Sequence, residues 1–260
     1  MGRALIAALC RSGVNASSIT LGEPNSLTRA ALEKDFGVCT SADNTALIAD
    51  SQVLVLCVKP QDMAAVLHPL QTALAKAAPL IISVAAGLSV ADLTTLCGSD
   101  LPIVRAMPNR PALLGAGATG LFANPGLSPQ LRARATALLA TAGSTIWVED
   151  ENQMNVVTAI SGSGPAYFFL FAEALAKAGQ AQGLSLAIAT ELAAATLHGA
   201  GAMVAQERDL SALRIAVTSP GGTTEAALKS FEKSGFDAIV ATAVQAAVTR
   251  SNELSTQFGP

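Results

Sequence analysis

The stretch from Leu213 to Leu228 carries the densest group of residues able to hold a small anion: Ser219, Pro220, Gly221, Gly222, Thr223 and Thr224 follow one another. Pro220 stops a helix, and the two glycines let the backbone take positive φ. Thr223 or Thr224 then caps a new helix, with Glu225 in its first turn and Ala226, Ala227 and Leu228 carrying it on. Backbone N–H groups at a helix start, flanked by hydroxyls, suit a small carboxylate. Pro-Gly-Gly alone would serve an ordinary turn; the cluster of hydroxyls shifts the balance toward a site.

A second set of chemistry-bearing loops lies in the first half. The apolar runs Gln52–Val58, Leu80–Val84 and Pro102–Ala106 each end in a short loop rich in Pro, Gly or Ala: Cys57-Val58-Lys59-Pro60, Ala85-Ala86-Gly87 and Met107-Pro108-Asn109. Strands apolar on both faces, alternating with helices, predict a parallel sheet covered on both sides. Ligands of open α/β sheets sit outside the carboxyl ends of the strands, so these three loops form a row of candidate cofactor contacts.

The elements that must position these loops follow in order. Residues 4–12 predict the tail of an amphipathic helix, Ile19–Gly22 a short strand, Glu23–Asn25 a turn and residues 26–36 a helix. Helices are expected near 61–76, 89–97 and 128–141, and a last strand pair over Gly117–Phe122 and Ser144–Val148. From about Glu151 the strand signals stop. Residues 152–180, 185–206, 209–218, 223–234 and 236–256 read as helices, the first kinked by Pro165 and buried around Phe168–Phe171. The expected architecture is a Rossmann-type α/β domain over 1–150 and an all-α domain over 151–260. A dinucleotide fold opens with a strand, then GxGxxG, then a helix. This sequence starts inside that helix, so its first strand and most of the glycine turn are expected to be absent.

Several of these segments, taken together, resemble the pyrroline-5-carboxylate reductase family. They are Val217–Thr224 followed by Gly235-Phe236, Cys57–Pro60, Ser83–Gly87, Arg105–Asn109 and Ser161-Gly162-Ser163-Gly164-Pro165-Ala166-Tyr167, in family order across essentially the whole chain. The resemblance implies reduction of 1-pyrroline-5-carboxylate to L-proline with NADP or NAD as cofactor, the last step of proline synthesis. It also implies a homodimer, or a higher homo-oligomer, with interlocked C-terminal helices, and an active site between one subunit's nucleotide domain and helices that include the partner's. By resemblance Asn44, Val58, Lys59, Pro60, Ala85, Ala86 and Gly87 fall where the cofactor is contacted, and Cys57, Met107, Pro108 and Asn109 adjoin them. Ser219, Gly221, Gly222, Thr223 and Thr224 would hold the substrate carboxylate, and the Thr224 hydroxyl would orient the ring nitrogen. Glu23 closes a strand where an acid suits the ribose hydroxyls of NAD, while Asn25 and Arg29 nearby leave NADP open. A β-hydroxyacid dehydrogenase of the same plan would want a helical lysine near the nicotinamide; Lys177 and Lys229 lie off the relevant loops. A catalytically inactive oligomeric binding protein is the other alternative.

Bulk composition agrees. Of 260 residues, 51% are hydrophobic and 13% charged, with a formal net charge of −3. That provides ample core, and the absence of a basic cluster argues against nucleic acid and anionic membrane as partners. Cys10, Cys39, Cys57 and Cys97 show no metal spacing, and with only His68 and His198 no metal set is expected. The thiols are expected to be reduced core residues of a cytoplasmic protein, His198 structural and Trp147 core.

Overall fold

The computed structural model describes residues 1–258 and divides into two compact units, one formed by Met1–Ser163 with the described residues from Ala247 onward, the other by Gly164–Ala246. Unit 1 enters through helix α1 (Gly2–Arg11), whose apolar residues Ala4, Leu5, Ile6 and Ala8 are buried. Then come β1 (Thr20–Gly22), α2 (Ser26–Phe36), β2 (Cys39–Ser41), α3 (Asn44–Ala49) and β3 (Val53–Leu56). The side chains of Asn25 and Asp43 accept N–H bonds at the starts of α2 and α3, which satisfies donors no helix can satisfy internally.

The segment expected as one helix over 61–76 is two short ones, α4 (Met63–Leu67) and α5 (Gln71–Ala77), because Pro69 forces a 3-10 turn at His68–Leu70. Next are β4 (Leu80–Ser83), α6 (Val90–Cys97), β5 (Ile103–Met107), β6 (Gly117–Ala123), α7 (Pro129–Ala140) and β7 (Gly143–Trp147). Ser89 and Asp92 start α6 with a reciprocal pair of side-chain-to-backbone bonds.

The strands form a parallel pair, β1-β2, and a five-stranded sheet in the order β3-β4-β5-β6-β7. Two expectations are corrected. The structure does hold a first strand, β1, formed by the stretch expected as a strand over Ile19–Gly22 and lying after α1 rather than ahead of it: β1 pairs with β2, and the Glu23 N–H extends the pairing by donating to the Ser41 carbonyl at 3.1 Å. The larger sheet is not wholly parallel, since β6 runs antiparallel to β5. The link from β5 to β6 is one 3-10 turn, Arg110–Leu114, too short for a crossover helix, so the chain must reverse. All four residues of β4 are buried, as a central strand covered on both faces requires. Ile81, Ile103, Leu93 and Leu67 pack on one side of the sheet, and Ile82, Val104, Leu121 and Leu139 on the other.

Gly143 opens β7 at φ +138°, and a Cβ there would fall on the backbone N and O of Gly117. Gly143→Ala is expected to destabilise unit 1 by more than ~3 kcal/mol, because both neighbours are backbone and cannot move aside. A chemical denaturation midpoint within error of wild type would contradict this.

After β7 come α8 (Gln153–Val157) and a π-helical turn, Thr158–Gly162. The expected kink is there, with a different cause. The turn precedes Pro165, which sits in the first turn of α9 (Gly164–Ala181), where its missing N–H costs nothing. Gly162 allows the turn to close on Met107, since a Cβ there would meet Met107 Cε at 2.9 Å.

Unit 2 holds α9, α10 (Leu186–Val204), α11 (Leu210–Ala216), α12 (Thr223–Lys233) and the first part of α13 (Phe236–Phe258). Ala176, Ala189 and Ala193 are buried where α9 packs along α10, and Phe171, Phe231 and Phe236 make a ring cluster with centroids 5.6–6.4 Å apart. The expected burial of Phe168–Phe171 does not hold within the chain: Phe168, Phe169 and Leu170 are 62%, 59% and 66% exposed. Helix α10 alone among the described residues is long and apolar enough to cross a membrane, though it carries Glu191 and His198. Both histidines are exposed, and of the four free cysteines only Cys97 is buried, which pushes its thiol up to about 11. Cys39 and Cys57 are exposed, which corrects the expectation of four core thiols. Trp147 is half-buried, its N–H donating to Thr136 Oγ1 at 3.0 Å and its ring covered by Arg132.

Candidate active site

The expected site residues fall into two groups, one in each unit. In unit 1, β3, β4 and β5 run in the same direction and deliver Cys57–Pro60, Ala85–Gly87 and Met107–Asn109 to the carboxyl edge of the sheet. Ala85 and Gly87 are buried, and Gly87 takes φ +82°, so backbone rather than side chain is presented there. The start of α1 abuts the end of β3: a Cβ on Gly2 would lie 3.3 Å from Cys57 Cβ. At the end of β1, Gly22 leaves room for Asn44, whose Oδ1 occupies the place a Cβ would take. Such close backbone approach, with small residues at strand ends, fits a dinucleotide lying across the sheet edge.

Glu23 turns one carboxylate oxygen back to the Asn25 N–H at 2.9 Å. Arg29 Nη1 donates to the Glu23 and Pro24 carbonyls at 2.8 and 2.9 Å, which anchors its charge on the same turn. Asn109 is buried and committed to the protein at both ends: Nδ2 donates to the Ser161 carbonyl and Oδ1 accepts from the Ala118 N–H, each at 2.9 Å. Its amide therefore holds β5, β6 and the π turn together. Arg105, also buried, donates to Glu151 Oε1 at 2.7 Å, and the same oxygen accepts the Val90 N–H at 2.7 Å. This link fixes β5, the start of α6 and the segment before α8. No pattern in the sequence announced it, because Arg105 and Glu151 are 46 residues apart.

In unit 2, α11 ends with Thr218 Oγ1 donating to the Arg214 carbonyl at 2.6 Å. Gly221 takes φ +71° as expected; Gly222 does not, lying extended at φ −84°, ψ 175°. Gly222 is the N-cap of α12, and no side chain caps it, so neither Thr223 nor Thr224 plays that part. The Gly222 N–H is taken by the Ser219 carbonyl at 3.0 Å, and the Gly221 N–H by Glu225 Oε2 at 2.7 Å. Among the described residues, the N–H groups of Thr223, Thr224 and Glu225 have no acceptor. A serine or threonine at the N-cap would have filled that place; glycine leaves it open. Thr224 is half-buried and Ser219 exposed. The sequence reading missed the role of Glu225, which bridges Gly221 and Lys229, the latter at 2.9 Å. Lys229 and then the Gly221 N–H hold its carboxyl below the ordinary value of 4.5. The Glu-x-x-x-Lys spacing was the available signal.

An α/β unit with short, small-residue loops at its strand ends, followed by a helical unit bearing an uncapped helix start, defines a two-unit protein of the dinucleotide-binding class. Residues 151–254 match the family described as pyrroline-5-carboxylate reductase dimerisation, and residues 1–87 match that described as NADP oxidoreductase coenzyme F420-dependent. The chain is 45% identical over 260 residues to pyrroline-5-carboxylate reductase of Pseudomonas aeruginosa, a match that takes in 100% of this chain and 95% of the relative. It resembles the structure of pyrroline-5-carboxylate reductase from Coxiella burnetii at TM-score 0.93 and 36% identity, covering 97% of this chain and 94% of that one. The Plasmodium falciparum enzyme, crystallised with NADP bound, matches at TM-score 0.80 and 30% identity over 98% and 94% of the two chains. The chain belongs to the pyrroline-5-carboxylate reductase family. The expected loss of a strand and glycine turn finds no support in this match, which takes in 100% of this chain and 95% of the Pseudomonas relative.

Proposed function

We propose that this protein reduces 1-pyrroline-5-carboxylate to L-proline, the last step of proline biosynthesis, with NADP or NAD as its cofactor. The observation that carries this reading is the uncapped start of α12 within the Ser219–Thr224 loop, in a chain of this family. The substrate is a cyclic imine bearing one carboxylate. The Thr223 and Thr224 N–H groups, joined by that of Glu225 and by the Ser219 hydroxyl, supply four donors for that carboxylate. Gly221 and Gly222 shape the loop rather than donate, since both of their N–H groups are engaged. The Thr224 hydroxyl orients the ring nitrogen. A hydroxyl is a poor acid near neutral pH, so it positions the nitrogen and the imine enters already protonated.

Bound NAD(P)H supplies the hydride that reduces the C=N carbon. Val58, Lys59, Pro60, Ala85, Ala86 and Gly87 would hold it along the sheet edge, with Cys57, Met107 and Pro108 adjoining. Glu23, Asn25 and Asn44 would stand at its ribose side, and Asn109 would shape the edge from behind. Among the described residues no three His, Cys, Asp or Glu side chains gather to hold a metal, and a reaction that rests on positioning asks for none. A second copy of the chain covers the exposed apolar face of unit 2, including Phe168, Phe169 and Leu170. Free thiols, two of them exposed, fit a reducing compartment, the cytoplasm.

The test is formation of proline from the imine with each cofactor. Glu23 gives a second expected result. Glu23→Gln is expected to lower KM for NADPH relative to NADH by about two- to fivefold, the weight of one solvent-screened repulsion toward the 2′-phosphate. An unchanged ratio would remove Glu23 from cofactor discrimination.

A further inference from the structure

Gly221 takes φ +71°, and an added Cβ there would find nothing within 4 Å. The Glu225 carboxylate holds its peptide, accepting its N–H at 2.7 Å. In the usual capping arrangement a glutamate at the third helical position bonds the N–H of the N-cap residue itself, opposite a serine or threonine cap. Here Glu225 reaches one residue further back, past Gly222, and the N-cap has no side chain. The two N–H groups ahead of the helix are thereby occupied, Gly221 by Glu225 and Gly222 by Ser219, while those of the first turn stay vacant. The second carboxylate oxygen meets Lys229 Nζ at 2.9 Å, so the negative charge beside the vacant donors is balanced within its own helix.

We propose that Glu225 is a positioning residue for the reduction: by tethering Gly221 it sets the loop so that the first-turn N–H groups of α12 receive the substrate carboxylate. The inference rests on the function proposed above. The Glu225 side chain acts through Gly221 and touches neither the imine nor the cofactor, while its backbone N–H, one of the carboxylate donors, is left in place by a side-chain substitution. Lys229 keeps the tethering carboxylate from repelling the carboxylate that binds next to it.

The experiment compares the full-length wild type with Glu225→Ala and Glu225→Gln. Steady-state kinetics would be run against 1-pyrroline-5-carboxylate at saturating cofactor, with the Gly221 amide followed by NMR after ¹⁵N-glycine labelling. Alanine removes the tether; glutamine keeps an amide oxygen able to accept the Gly221 N–H. Glu225→Ala is expected to raise KM for the imine about five- to tenfold, the scale of one lost orienting hydrogen bond, and to shift the Gly221 amide. The cofactor KM should stay within about twofold, since no tethered group lies in unit 1. Glu225→Gln is expected to restore both the substrate KM and the amide position. A helix-capping role alone would lower the melting temperature and leave KM in place. The proposal is overturned if Glu225→Ala shifts the amide without changing KM, or if Glu225→Gln is as impaired as Glu225→Ala. Neither result touches the function itself. A wild-type chain without turnover would sink the proposed function and this inference with it.

Discussion

Replacing Thr224 by alanine is expected to lower kcat about tenfold or more, the equivalent of one orienting hydrogen bond worth ~1.4 kcal/mol lost from the transition state. The backbone of Thr224 is unaltered by the change, so the carboxylate keeps its donors and KM should move little. The helix should also survive. Gly222, not Thr224, is the N-cap of α12, and no hydrogen bond from the Thr224 side chain holds that helix start. A split between kcat and KM, with an unchanged melting temperature, is therefore the pattern to look for. Thr224→Ser, which retains the hydroxyl, should recover most of the rate. An alanine variant with wild-type kcat would take Thr224 out of the mechanism.

The second large effect is on stability. Arg105→Met is expected to cost about 3 kcal/mol, because it leaves the Glu151 carboxylate without its charged partner in a half-closed environment. The Arg105 and Glu151 side chains are 11% and 28% exposed, so the pair is shielded far better than a surface ion pair. The same Glu151 oxygen holds the Val90 N–H, so the loss spreads to the start of α6. For a unit of this size the melting temperature should fall by roughly 6–12 °C. Glu151→Gln should be milder, since its amide oxygen can still accept from both partners. A melting temperature within about 1 °C of wild type would show that the pair contributes nothing net, as some buried pairs do.

These two expectations differ in how visible they were beforehand. Thr224 stands in a loop whose residue types alone announce a helix start and an anion site. The strand-end loops were equally legible, because runs such as Leu80–Val84 are apolar on both faces and stop abruptly at small residues. The elements that escaped were short or polar: β2 is Cys39-Thr40-Ser41 and α3 is six residues long. Neither shows a period that a window could detect.

Other differences had tertiary causes. The antiparallel course of β6 is dictated by the brevity of the connection after β5, which strand composition does not reveal. The π turn at Thr158–Gly162 depends on Gly162 closing on Met107 and on Asn109 holding Ser161, contacts some 50 residues apart in sequence. Phe168–Leu170 looked like core because such residues are apolar all round; within the single chain they are surface, and the dimerisation match says what kind of surface. Asn109 shows the same lesson at the site. Its place in the Met-Pro-Asn loop suggested a cofactor contact, yet both ends of its amide are engaged by backbone, which makes it part of the frame.

The central claim is that this chain moves a hydride from a nicotinamide to the imine carbon of 1-pyrroline-5-carboxylate. Incubating the protein with the imine and NADPH or NADH carrying deuterium at both C4 positions of the nicotinamide tests it most directly. Mass spectrometry and NMR of the product should find L-proline bearing one deuterium on the ring carbon next to nitrogen and away from the carboxylate. Proline without deuterium, or no proline with either cofactor, would contradict the account.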